Sequence, residues 1–169
     1  EKSGFCGRLF EEHVTPSFKS FSLADKYIIT GVRSGLVIIN IHRAKERILF
    51  DRFLDALNGH VAVSQQALFP EPVEIGVENK LLLDENSALL SSLGFDIRAF
   101  GDDTVVVNGV PDGFSAQQGK VLALMDSVLA VLKENSGGLK ETLNVAMAEK
   151  FARLGASSSE IISSPTQAQ

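Results

Sequence analysis

The sequence predicts an α+β fold in two parts, on three observations. A strand, tight turn, second strand and long helix follow one another from Tyr27 to Leu57. The middle of the chain reads β-α-β-β-α, and two amphipathic helices close it. The apolar period thus changes repeatedly between two and about 3.6 residues, which all-α or all-β folds do not show.

Residues 1 to about 22 mix phenylalanines with Gly, Ser and Pro and keep no sustained period; they are expected to form a linker or arm. Tyr27, Ile28 and Ile29 then give a β-branched and aromatic run suited to a pleated surface. Arg33-Ser34-Gly35 supplies a turn, with Gly35 free to take a positive φ. Leu36 to Ile41 is almost unbroken apolar sequence, as expected of a strand covered on both faces. On a helical wheel, Ile41, Ala44 and Ile48 then share one side, while Leu49, Phe50, Phe53, Leu54 and Leu57 share another. A helix apolar on two sides is expected to lie between two packed bodies. Asn58-Gly59 stops it.

Pro70 and Pro72 make the next stretch an extended loop, leading into a strand near Val73 to Val77. Lys80 to Leu93 approximates one helical face, ended by Gly94. Phe95 to Phe100 and Thr104 to Val110 read as two strands joined through Gly101-Asp102-Asp103. Ser115, with Gln118 three positions on, has the pattern of a capping box for a helix that ends at Ser136-Gly137-Gly138. Residues 139–154 form a second helix, with Gly155 as its expected stop. Ser164-Pro165 would open another helix, so the natural chain is expected to continue past Gln169.

Composition narrows the function classes. In 169 residues, 44% apolar and 22% charged, there is material for one domain or two small ones. No apolar run approaches the ~18 residues of a spanning helix, and the first residues lack a secretory pattern. The single cysteine, Cys6, cannot form an internal disulfide and fits a cytoplasmic location. A net charge of −5 argues against autonomous DNA binding. The densest basic group, Arg43, Lys45 and Arg47, is interleaved with Glu46 and reads as a solvated helix face. Phosphate-binding glycine loops and a G-x-S-x-G elbow are absent from the sequence. His13 and His60 stand alone in loop-like sequence.

Asn40-Ile41-His42-Arg43-Ala44-Lys45-Glu46-Arg47-Ile48-Leu49-Phe50-Asp51 resembles the DQHA-x-x-E-x-x-x-x-E segment of the MutL mismatch-repair family, in its C-terminal dimerisation domain. The preceding strand pair, Ser64-Gln65-Gln66-Ala67-Leu68-Phe69-Pro70, Gly94-Phe95-Asp96-Ile97 and the Thr104 to Pro111 strand continue the likeness over roughly residues 23 to 155. The resemblance implies a bacterial DNA-repair protein whose ATPase lies in a separate N-terminal domain. It implies a dimerisation subdomain from residues 23–57 and 138–169, and an external regulatory subdomain from 58–137. A homodimer, the replication sliding clamp, a MutS-like mismatch-recognition protein, and DNA through the full-length protein are the implied partners.

Two candidate sites follow. His42 and Glu46 lie four apart and share a helix face, as a metal-holding pair would. Endonuclease members of the family carry an aspartate where Asn40 stands, a polar residue at Ile41 and a cysteine where the alignment puts Ala148; the family's Cys-Pro-His-Gly-Arg-Pro-like stretch is not present. A neutral amide in place of an acidic ligand removes charge that a cation needs. The expectation is therefore a degenerate motif (Asn40, His42, Glu46), a non-catalytic domain and no cofactor. In that reading Glu46 pairs with a nearby arginine and His42 hydrogen-bonds in the interdomain seam. The alternative is a metal-dependent DNA-nicking endonuclease, with Zn or Mn, completed by residues beyond 169. The second site is Gln65, Gln66, Leu68, Phe69 and Pro70, which resembles the family's clamp-binding motif: a glutamine for a polar contact, Leu68 and Phe69 as anchors. Which glutamine takes that contact is left open by the sequence.

Overall fold

The computed structural model describes residues 19–59, 62–70 and 72–157, apart from the side chain of Gln118. Cys6, His13, His60 and the Ser164-Pro165 pair fall outside them. Five helices and two antiparallel sheets are present among the described residues, so the α+β expectation holds. The chain divides into two compact units, Glu1–Ile41 and His42–Gln169.

The first unit is a meander of β1 (Ser20–Leu23), β2 (Tyr27–Val32) and β3 (Gly35–Asn40), in spatial order β1-β2-β3. β1 lies at the end of the stretch expected to be an arm. At four residues, two of them serine, it is too short and polar to show a period by itself. Gly35 opens β3 with φ 148°, and Val32 faces it across the turn. The register of Phe21 with Ile29, and of Ile29 with Ile38, puts alternate residues of the three strands on one face. Phe21, Leu23, Tyr27, Ile29, Leu36 and Ile38 share that face; Ile29 is buried, but Leu36 and Ile38 are 63% and 61% exposed. β3 was expected to be covered on both faces, and it is exposed along its apolar length. A continuous apolar run records what a strand needs for cover, which a single chain need not provide.

The second unit is built on one core. α1 (Ile41–Leu57) follows β3 without a break and ends at Asn58-Gly59, where Gly59 has φ 115°. Phe53 and Ala56 are buried, and Leu49, Phe50, Leu54 and Leu57 pack partly on the core. The other apolar side of the helix stays open at Ile48, which is exposed. β4 (Ser64–Gln66), β5 (Pro72–Glu74), β6 (Asp96–Ala99) and β7 (Thr104–Pro111) form the second sheet, with every other strand pairing on β7. β4 and β5 take opposite ends of one edge of β7, and β6 takes the other edge.

β4 falls in the predicted loop, because three residues of Ser-Gln-Gln carry no apolar signal. The predicted strand near Val73 to Val77 is shorter and earlier, since α2 (Val77–Glu85) already begins at Val77. The helix expected over Lys80 to Leu93 is two, α2 and α3 (Ser87–Leu93), parted at Asn86. Asn86 Nδ2 donates to the Leu82 carbonyl at 2.8 Å, turning its amide back on the preceding helix. Gly94 ends α3 in the left-handed region, as predicted.

α4 (Gln118–Glu134) begins later than the predicted capping box. Gln117 is its N-cap residue, and the Ser115 hydroxyl only accepts the Gln117 N–H at 3.4 Å. α5 (Lys140–Ser157) runs through Gly155 instead of stopping there. A Cβ on Gly155 would lie 2.8 Å from Leu49 Cδ1 of α1, so this glycine serves close helix approach. Phe151, fully buried on α5, meets the rings of Phe53, Phe95 and Phe114 at centroid distances of 5.7, 5.8 and 5.4 Å. These pairs are edge-on, the arrangement ring quadrupoles favour.

Phe151→Ala is expected to destabilise the chain by about 3–5 kcal/mol, as a buried aromatic truncation does. Gly155→Val should cost less, about 1–3 kcal/mol, because Leu49 can partly yield. Urea titration followed by circular dichroism checks both, and equal losses would contradict the ring cluster's primacy.

Candidate functional site

The sharpest surface feature of the second unit is the loop between β4 and β5. β4 enters it paired with the end of β7, Ser64 facing Pro111, Gln65 facing Val110 and Gln66 facing Gly109. The Ala67 N–H donates to the Asn108 carbonyl at 2.7 Å, extending the attachment by one residue. β5 leaves the loop by pairing Pro72 with Val106 of the same strand. Between these anchors Leu68 and Phe69 are 90% and 85% exposed. Pro70 is exposed as well. Two adjacent large apolar side chains, both almost wholly in water and both held by flanking strands, form an apolar projection rather than a loop tucked on its own domain.

The glutamines differ in their attachments. Alternation along β4 puts Gln65 and Gln66 on opposite faces. Gln66 Nε2 donates to Ser64 Oγ at 3.4 Å, a bond within β4 itself. The Gln65 side chain is exposed and forms no hydrogen bond among the described residues.

The His42–Glu46 position lies on the first turns of α1. The His42 side chain is exposed and makes no hydrogen bond among the described residues, unlike the bond expected of it. Glu46 is half-buried, and its Oε1 lies 3.5 Å from Arg153 Nε on α5. That is the arginine pairing expected of Glu46, with the partner supplied by a helix about a hundred residues away. Arg47 pairs with Asp51 at 2.9 Å and lies 5.8 Å over the Phe50 ring. Arg43, Glu46, Arg47, Phe50, Glu149 and Arg153 line a shallow cleft of about 380 Å³ between α1 and α5. Asn40, the last residue of β3, belongs to the first unit. Ala148 is fully buried in the core. Among the described residues no three His, Cys, Asp or Glu side chains gather as a metal site would require. The two donors His42 and Glu46 fall short of the usual three or four protein ligands.

Comparison with known proteins agrees with the likeness read from the sequence. Residues 21–160 match the model of the MutL C terminal dimerisation domain. The chain belongs to that family. DNA mismatch repair protein MutL of Pelodictyon phaeoclathratiforme is 34% identical over 137 residues, 78% of this chain and 22% of its own length. The MutL proteins of Chlorobium limicola and Chlorobaculum parvum are 36% and 37% identical over 122 residues, 72% of this chain and 19% of theirs. The chain therefore spans about a fifth of these relatives. No helix among the described residues is long and apolar enough to cross a membrane.

Leu68 and Phe69 touch little, so Leu68→Ala and Phe69→Ala should each leave stability within about ±0.5 kcal/mol of the parent. Breaking the partly exposed Glu46–Arg153 pair with Glu46→Gln should cost no more than about 1 kcal/mol. Thermal unfolding of the three variants beside the parent checks this, and a larger loss at Leu68 or Phe69 would mean that the projection packs on its own domain.

Proposed function

We propose that this chain is the non-catalytic homodimerisation domain of a bacterial, cytoplasmic MutL-like DNA mismatch-repair protein, which also contacts the sliding clamp. The observation that carries the dimer is the open apolar face of the β1-β2-β3 sheet. Phe21, Leu23, Tyr27, Leu36 and Ile38 are exposed around the buried Ile29. Leaving such a group in water is unfavourable by about 25 cal/mol per Å², and a second copy offers the same face. A two-fold axis brings that self-complementary surface against itself. Dimerisation then holds two ATPase-bearing arms together, so that DNA and a MutS-like protein are engaged by the full-length protein. Residues 23–57 and 138–169 serve the dimer and 58–137 the external contacts. One core runs through the parts of this division within the second unit, so it is a division of surface role.

Clamp contact is carried by Leu68 and Phe69 as anchors, with Pro70 shaping the exit and Gln65 making the polar contact, since Gln66 is engaged with Ser64. The absence of catalysis is supported by the neutral Asn40, the buried methyl of Ala148 and the engagement of Glu46 by Arg153. Against the nicking-endonuclease reading, a longer chain given Mn²⁺ or Zn²⁺ should not nick supercoiled DNA. Nicking lost on His42→Ala or Glu46→Ala would restore that reading.

Light scattering across a dilution series should give a dimer mass without added metal. Ile38→Glu should shift it toward monomer at concentrations where the parent is dimeric, whereas Arg98→Glu in the second sheet should not. A parent that is monomeric at every concentration would sink the dimer proposal. Against the cognate sliding clamp, Leu68→Ala with Phe69→Ala should weaken binding at least about tenfold, as loss of paired anchors does.

A further inference from the structure

β7 contains an irregularity at the root of the Leu68–Phe69 projection. Asp96 faces Gly109 while the next residue of β6, Ile97, faces Val107, so Asn108 is an extra residue on β7, a β-bulge. The bulge changes the phase of the strand. Val105 and Val107 are buried, and so is Val110, which strict alternation from Val107 would turn to the other face. Gly109 is thereby placed on the face opposite the core, with Ser64 and Gln66 of β4 on one side and Asp96 of β6 on the other.

The space at Gly109 is already used. A Cβ there would overlap Ser64 Oγ and lie 3.0 Å from Gln66 Nε2 and 3.4 Å from Asp96 Cβ. Its backbone is not in the left-handed region, so room, and not conformation, is what glycine provides. Ser64 and Gln66 lie over it, linked by their own hydrogen bond. The bulged Asn108 turns its carbonyl to the Ala67 N–H, the last backbone attachment before Leu68.

We propose that the Asn108–Gly109 bulge is the positioning element of the Leu68–Phe69 projection. Gly109 lets the Ser64 and Gln66 side chains lie flat across β7. β4 then pairs through to Ala67, and Leu68 and Phe69 leave from a fixed root. A side chain at 109 would lift β4, release the Ala67 N–H and leave the two anchors on a longer, looser segment. As a contributor to clamp binding this rests on the reading of the loop given above; as a statement about the loop's root it does not.

The experiment measures two quantities on the whole chain, amide exchange at Ala67 and affinity for the cognate sliding clamp. In Gly109→Val, a residue otherwise suited to a strand, Ala67 exchange should rise and clamp affinity fall, each at least about tenfold. Gly109→Ala should do the same more weakly. Ser64→Gly in that background, which removes the hydroxyl the new methyl overlaps, should restore both. Leu68→Ala with Phe69→Ala should abolish clamp binding and leave Ala67 exchange unchanged, which a merely structural effect on stability would not separate. Unchanged Ala67 exchange in Gly109→Val overturns the proposal, as does faster exchange with full clamp affinity. Should Gly109→Val fail to fold, Gly109→Ala and its Ser64→Gly rescue decide in the same way. A parent chain that does not bind the clamp defeats the clamp reading alone, while Ala67 exchange still decides whether the bulge holds the loop.

Discussion

The second unit depends on the ring of Phe151. It is the point at which α1, α5, the entry to β6 and the turn after β7 meet, through Phe53, Phe95 and Phe114. Elements as far apart in sequence as α1 and α5 are joined there by edge-on ring contacts. Around it the rest of the core is aliphatic and continuous, from Val73 and Leu83 to Val128 and Met147. No buried polar or charged residue occurs among the described residues. The hydrophobic effect and ring packing therefore fix the relation of α1 to α5, and the surface ion pairs refine it little.

The same contrast separates what the sequence revealed from what it did not. The hairpin, its turn at Gly35 and the change to helix after Asn40 were legible because each carries a strong local signal, either period or turn chemistry. So was the β6–β7 hairpin, and so was Gly94 as a stop. β1 and β4 were not, being short polar strands whose existence depends on partners elsewhere. Gly155 misled for a related reason. A glycine near a helix end looks like a terminator, and only the position of Leu49 on another helix shows that its missing Cβ is a matter of space.

The candidate sites follow this division too. The exposure of Leu68 and Phe69 was readable, since two prolines within a few residues keep the segment extended and a lone apolar pair there has little to pack on. The identity of Glu46's partner was not, because Arg153 becomes its neighbour only once α5 is laid beside α1. The attachment of Gln66 to Ser64 was likewise not readable, because it depends on both side chains lying on one face of a strand that exists only beside β7. The bulge between β6 and β7 leaves no local mark in Val107-Asn108-Gly109-Val110 beyond a glycine in a strand.

Both ends of the Leu68–Phe69 loop are tied to one strand, β7. The chain between Ala67 and Pro72 is thus a closed loop of few residues, and its closure entropy has been spent during folding. A partner that takes up the two apolar side chains need order little backbone, so more of the gain from their burial remains as affinity. For such a partner, extra residues in that loop would add backbone to be ordered on binding, while the folded domain would bear only the small further closure cost of a longer loop.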